Sequence, residues 1–281
     1  MFRKPITYLL VASFVMMLTG CTLEQRLAKS YVKSGLTDPF YLLEPSVLFK
    51  ANLKEFEITG LDTLDAFKKD SLLIENSLFL KNVNDSMLIK NFMEGLRGGL
   101  EKYKVEVLPE KEVDSLMLNG GHSYIVNIAQ FSLEEYIHPY SQEEWIYEEV
   151  LVIDGIDLNA LNYNVWIELN RLNSEEQIQV LFLSDYLLDE VDGMLKTNLV
   201  TGKMSYDYTI DTISEARVYG FARQTGERAA ALLFDYLMNS YVSENLPEDY
   251  PYEALYYHYD PVRNLLYAIG EEDRIILIRE K

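Results

Sequence analysis

Apolar residues recur at two different periods along the chain, and the change of period divides it. In 22–34, Leu23, Leu27 and Tyr31 stand four apart, with Arg26, Lys29 and Lys33 on another face and Gly35 behind them. That spacing predicts a short amphipathic helix. Asp38-Pro39 breaks it, and 38–46 reads as a connector. From residue 70 the pattern is denser. It predicts an apolar strand over 72–83, a helix over 85–103 and a strand over 105–108. A short helix follows, opening at Pro109 and closing at Asn119-Gly120-Gly121, and then a strand over 124–131. The result is a β-α-β-α-β start.

The middle of the chain alternates instead. Leu161, Tyr163, Val165, Ile167 and Leu169 interleave with Asn162, Asn164, Trp166, Glu168 and Asn170, which places one face on a core and the other largely in water. Similar runs over 145–153, 177–188 and 204–212 predict an antiparallel meander, with Asp154-Gly155 as a hairpin turn. Thr212 and Glu215 read as a capping box opening a long helix to about Tyr241, striped by Val218, Phe221, Leu232, Leu233, Tyr236 and Leu237. Gly220 and Gly226 either let that helix approach a sheet closely or mark a break in it. The tail is punctuated by Pro247, Pro251 and Pro261 and predicts strands over 263–269 and 274–279. The class is α+β: one domain over 47–246, preceded by a tether and amphipathic helix over 21–46 and followed by a small C-terminal strand appendage over 247–281.

Residues 1–20 have signal-peptide anatomy: Arg3 and Lys4, an apolar stretch from Ile6 to Leu18, then small residues before Cys21, the chain's single cysteine. The stretch is too short for a membrane span, which needs about 20 apolar residues. Leu18-Thr19-Gly20-Cys21 resembles the lipobox of bacterial lipoproteins. That resemblance implies cleavage before Cys21, a diacylglyceryl group on its sulfur and a mature protein held on a membrane by two or three acyl chains. Thr22 stands where an Asp would favour inner-membrane retention, so the resemblance implies the outer membrane. Thr22-Leu23-Glu24-Gln25-Arg26 is unlike the acidic surface-export tags of Bacteroidota lipoproteins, which favours the periplasmic face.

Two further resemblances concern the body of the chain. Gly226-Glu227-Arg228-Ala229-Ala230, followed by Phe234-Asp235-Tyr236-Leu237-Met238-Asn239, resembles segments of Bacteroidota lipoproteins of uncharacterised activity. The order of elements from Leu72 to Tyr241, with Gly121-His122-Ser123-Tyr124 at a strand entry, is similar to transporter-auxiliary and assembly-accessory lipoproteins. It implies an accessory role beside a larger envelope machine.

Composition sharpens this picture by exclusion. The chain has 281 residues, 45 acidic against 25 basic side chains and a net charge of -20, with a pI near 4.5. It lacks the basic surface that nucleic-acid binding needs, and one cysteine excludes an internal disulfide or a Cys-rich metal site. No P-loop, GxGxxG, GxSxG or HExxH pattern is present, so no cofactor is expected. His122, His138 and His258 are dispersed. Ser123 follows a glycine and a histidine, but Ile125 fills the place where a nucleophile elbow needs a small residue. Paired acids at Glu134/Glu135, Glu143/Glu144, Glu148/Glu149 and Asp189/Glu190 leave a glycosidase-like pair open. Asp185, Asp189, Glu190 and Asp192 leave a calcium site open, without EF-hand spacing.

Charge distribution says more than any motif. No lysine or arginine lies between Lys111 and Arg171, a block that holds eleven acids, and none lies between Arg228 and Arg263. Such blocks are either a solvated acidic surface or a docking surface. Within the first, Glu143, Glu144, Trp145, Tyr147, Glu148 and Glu149 are the candidate partner contacts, with Trp166 a further aromatic anchor and one of the two tryptophans expected in the core. Arg26, Lys29 and Lys33 would sit either over lipid phosphates or on a solvated helix face. The sequence thus points to a non-catalytic, lipid-anchored accessory or assembly protein bound to the membrane and to another envelope component. A sugar- or lipid-binding module and an exported hydrolase are the alternatives.

Overall fold

The computed structural model describes residues 22–34, 38–54, 64–108, 123–146, 149–172, 174, 177–197, 200–201, 204–251 and 254–278; for 142–146, 149–154, 195, 197 and 204–205 it describes the backbone alone. The architecture is α+β, with four α-helices and eleven strands among the described residues. In chain order these are α1 (Leu23–Ser34), β1 (Phe40–Leu43), β2 (Leu48–Asn52), α2 (Ala66–Glu75), α3 (Asp85–Lys102), β3 (Val107–Leu108), β4 (Tyr124–Ile146), β5 (Glu149–Arg171), β6 (Gln179–Leu188), β7 (Glu190–Thr197), β8 (Met204–Asp211), α4 (Glu215–Asn245), β9 (Tyr257–Asp260), β10 (Leu265–Ala268) and β11 (Ile276–Ile278).

The principal sheet has seven strands in the order β11-β6-β5-β4-β1-β3, with β2 beside β1 on the same edge of β4. β4, β5 and β6 form the antiparallel meander, whereas β1 and β2 run parallel to β4. The alternation along β5 decides which face is covered: Leu161, Tyr163, Val165, Ile167 and Leu169 are all buried, and they face the helices. Against them pack Leu88, Phe92, Leu96 and Leu100 of α3, Ala222, Ala229 and Leu233 of α4, and Ala28 and Tyr31 of α1. Tyr163 donates to Val218 O at 2.9 Å, and Asn84 N donates to Tyr219 Oη at 3.0 Å, pinning the helices to the sheet and to each other. α3 and α4 approach so closely that a Cβ at Gly95 would lie 2.0 Å from Arg223 O and one at Gly226 would lie 2.1 Å from Phe92 O. Gly226 therefore serves helix–helix rather than helix–sheet contact, and α4 is unbroken at both of its glycines.

Several expectations need correction. The run 72–83 is not a strand: Asp65 caps α2 by accepting from Lys68 N, and the apolar residues belong to that helix and to a 3₁₀ turn at Leu80–Asn82. The 38–46 connector contains β1, whose Phe40 and Tyr41 are fully buried. Asp154-Gly155 is not a turn. Gly155 has φ +84° opposite a register shift, so its left-handed conformation makes a bulge inside a 23-residue strand, and the hairpin reverses between Ile146 and Glu149. The long helix starts later than its expected box: Ile213 is still extended, donating its N–H to Asp189 Oδ1 at 2.8 Å, and Ser214 is the cap. The short helix expected after Pro109 and the leader lie outside the described residues.

The C-terminal strands are small. β9 and β10 form a separate ribbon against α4, and β11 pairs with β6 at the sheet edge. No helix among the described residues is long and apolar enough to cross a membrane.

Candidate functional site

The helix that follows Cys21 is docked, not free. Thr22 caps α1, with Oγ1 accepting from Gln25 N at 3.2 Å, and the same oxygen lies 3.2 Å from the Tyr257 hydroxyl. Buried Glu24 accepts from Leu255 N at 3.2 Å, and Tyr31 packs edge-on against Phe234 of α4. These contacts turn Arg26, Lys29 and Lys33 outward, and all three are exposed on one side of α1. Cys21 itself lies outside the described residues.

The contacts of α1 distinguish two ends of the body. Tyr257 sits beside Asn239 in the second half of α4, and Tyr236 of that half reaches Gln179 at the start of β6. The first turn of α4 lies at the opposite end, where Asp189 accepts from Ile213 N, Asn159 N and Asn159 Nδ2. From that opposite end the β4–β5 hairpin leaves the sheet. β6 stops at Leu188 opposite Ala160, while β4 and β5 stay paired to Ile146 and Glu149. At about 3.3 Å per residue the projecting part reaches roughly 30 Å. Ile156 and Leu158 remain buried at its base. Glu143, Glu144, Trp145 and Glu149 fall on its last pairs, with backbone alone described; Tyr147 and Glu148 at the reversal lie outside the described residues. The β7–β8 hairpin leaves from the same end.

At the α1 end lies a cavity of about 590 Å³, between the last turns of α1 and α4 and the end of the sheet where β4 starts and β5 stops. Tyr31, Tyr124, Tyr236 and Tyr241 line it together with Gln177, Gln179, Ser240 and Glu244. The Arg171 guanidinium sits on its wall, 3.3 Å from Asp38 Oδ2 and 5.7 Å from the Tyr124 ring centre. Tyr31 is 9% exposed, and its phenol oxygen is buried without a hydrogen-bond partner among the described residues. Burial, and secondarily the neighbouring Tyr124 and Asp38, push its pKa up, so it stays a protonated donor. Sequence reasoning did not assemble this cavity, because its walls come from four separate stretches of chain.

Of the acidic pairs, Glu134/Glu135 and Asp189/Glu190 have described side chains, and neither converges. Glu135 is fully buried and faces the helices, while its neighbour Glu134 lies on the other face near Asn162. Asp189 is spent on three N–H donors, Glu190 pairs with Arg217 at 2.6 Å, and Asp185 pairs with Arg228 at 2.9 Å. No group of three His, Cys, Asp or Glu that could hold a metal occurs among the described residues. Ser123 is fully buried at the entry of β4. Trp166 lies half-buried on the face away from the helices, 4.8 Å from Phe182, and is not a core residue. One pairing had no local signal: His258 Nδ1 lies 2.5 Å from Oδ2 of the fully buried Asp235, whose Oδ1 accepts from Tyr259 N. His258 joins the C-terminal ribbon to α4 and meets the Tyr267 ring edge-on, 5.2 Å between centres.

No protein-family model matches the chain, and no curated protein matches it.

Proposed function

We propose that this chain is a non-catalytic, lipid-anchored protein of the cell envelope, an accessory or assembly subunit whose β4–β5 hairpin contacts another envelope component. The observation that carries the reading is the placement of that hairpin. It leaves the body at the end remote from α1, so a protein acylated at Cys21 holds its acidic hairpin away from the bilayer. Because α1 begins at Leu23 and is packed into the core, almost no slack separates the acylated residue from the domain, and anchoring fixes the direction in which the hairpin points. The exposed Arg26, Lys29 and Lys33 support the same orientation by facing anionic headgroups. A two-stranded ribbon projecting beyond its sheet adds little to the main core, which fits a contact device better than a stability device. The outer membrane, periplasmic face, is the location this reading takes from the residues around Cys21.

The test is affinity purification of the acylated protein from crosslinked cells, beside a variant with Glu143, Glu144, Glu148 and Glu149 changed to lysine. One stoichiometric partner that is lost in the variant supports the reading. Equal recovery from both proteins rejects the hairpin as the contact.

A further inference from the structure

We propose that the C-terminal ribbon of β9 and β10 is a strap across the start of α1 that protonation of His258 holds closed, so that the pH of the envelope sets how tightly the body is held to its anchor. The consequence for the anchor rests on the acylation of Cys21 proposed above; the strap itself does not.

Two sets of contacts meet in the ribbon. On one side it holds α1: the Tyr257 hydroxyl lies 3.2 Å from Thr22 Oγ1, and Leu255 N, just before β9, donates to the buried Glu24 at 3.2 Å. Thr22 directly follows Cys21, so the grip on the first turn of α1 sets the slack of an acylated chain. On the other side the ribbon is held by α4. The Asn239 side chain donates to Tyr257 O and accepts from Tyr257 N, both at 2.8 Å. One turn earlier the fully buried Asp235 accepts from Tyr259 N at 3.1 Å and lies 2.5 Å from His258 Nδ1. Asn239 does not titrate, but the pair beside it does. A buried carboxylate is costly without a cation, and protonated His258 supplies one. With the ribbon lifted, both groups return to water and to ordinary values of about 3.9 and 6.5. With it docked, the bond to Asp235 raises His258 and burial raises Asp235, so the closed strap keeps its proton to higher pH than the open one. Closure is therefore fully supported below about pH 6.5 and weakens as pH rises through the docked value, by at most about tenfold per unit for one proton. The other groups around the pair leave this sign unchanged. Asp260 of β9 and Asp273 of the turn after β10 favour the charged histidine, and Asp260 is otherwise spent on Val262 N, Arg263 N and the Arg263 side chain of the ribbon's own turn. Burial pushes the phenols of Tyr103, at the end of α3, and Tyr256 up, so both stay neutral, and Arg274 lies over the Tyr256 ring. Tyr267 of β10 meets the imidazole edge-on, and from α1 Glu24 is engaged with Leu255 N.

The experiment uses the full acylated protein in phosphatidylcholine discs. Acylation occupies the chain's single cysteine, so spin labels attach only to introduced ones: the first at Lys90, exposed on α3, and the second either at Val262 on the ribbon turn or at Arg26 on α1. Pulsed dipolar spectroscopy is expected to give one narrow distance for each pair at pH 6. At pH 9 a second, displaced population is expected in both pairs, with an open-to-closed ratio at least fivefold higher. Asp235→Asn removes the buried charge while its carboxamide still accepts from Tyr259 N, and its distances are expected to be the same at both pH values. His258→Asn removes the cation, and its ratio is expected to change less than twofold. Identical distances at the two pH values in the parent protein overturn the proposal, as does a pH response that persists in Asp235→Asn, or a ribbon that moves while α1 stays still. The mass of the purified protein reports separately whether Cys21 carries acyl chains. If it carries none, the anchoring reading fails, and the same distances measured in Cys21→Ser still decide the strap.

Discussion

Lys54 Nζ lies 2.6 Å from Glu135 Oε1, with the lysine side chain 9% exposed and the glutamate fully buried. The carboxylate also accepts from Leu78 N, Phe79 N and Leu80 N at 2.8, 2.8 and 3.2 Å, and Lys54 donates to Asn159 Oδ1 at 2.9 Å. Asn159 in turn donates to Asp189, which caps the approach to α4. A buried polar chain therefore crosses the end of the sheet from which both hairpins depart. It joins the exit of β2, the turn before α3, the two long strands and the start of α4.

Removing one member of this chain leaves a buried charge or orphaned donors, whereas an apolar pair removes both charges and orphans only the N–H groups of Leu78, Phe79 and Leu80 and the Asn159 side-chain oxygen. Glu135→Leu is expected to cost about 3–5 kcal/mol, and Lys54→Met less, because the three N–H donors still hold the carboxylate. The double variant is expected to lose less than the two single changes together. Urea unfolding of the four proteins measures this, and strict additivity would contradict a coupled pair.

The glycines of the helix pair make opposite predictions. Gly95→Ala and Gly226→Ala drive a methyl into the facing backbone and are expected to destabilise by at least about 1–3 kcal/mol. Gly98→Ala and Gly220→Ala meet nothing within 4 Å and are expected to be neutral or to stabilise by up to about 1 kcal/mol through helix propensity. Thermal unfolding of the four variants separates the two groups.

Asp235 raises the pKa of His258 by accepting from its ring, with Asp260 and Asp273 adding smaller contributions, while burial makes the charged form of Asp235 costly unless His258 carries the proton. A group whose folded pKa exceeds its unfolded value, about 6.5 for histidine, contributes its full stability below that value and loses it as pH rises through the folded one. Urea midpoints are therefore expected to fall between pH 6 and pH 9 more steeply in the parent protein than in His258→Asn. Parallel profiles would contradict the linkage.

How legible this was in the sequence varied with the range of the forces involved. α3, α4 and the buried alternation of β5 were readable because the helical and strand periods persist over many residues. The run 72–83 misled because a short apolar stretch fits a strand or a helix equally, and the deciding cap, Asp65, lies before it. Asp154-Gly155 misled because a hairpin turn and a bulge both use a glycine of positive φ. The tyrosine cavity and the His258–Asp235 pair join residues far apart in the chain, and nothing local marks either.

Membrane attachment is expected to depend on Cys21 absolutely and on the basic face of α1 by degree. Cys21→Ser should move the protein to the soluble fraction and end palmitate labelling. With acylation intact, Arg26→Glu, Lys29→Glu and Lys33→Glu together should weaken binding to anionic vesicles at low salt, and the difference should fade as salt screens it. Equal binding at low salt would leave these three residues as a solvated helix face.

Whether the β4–β5 hairpin is the contact is decided by a photo-reactive residue placed at Glu144 in one protein and at Glu94, on the exposed side of α3, in another. Both are expressed with residues 1–21 unchanged and irradiated in living cells. One discrete crosslinked species is expected from position 144 and none from position 94. Crosslinking from position 94 alone, or the same species from both positions, would contradict it.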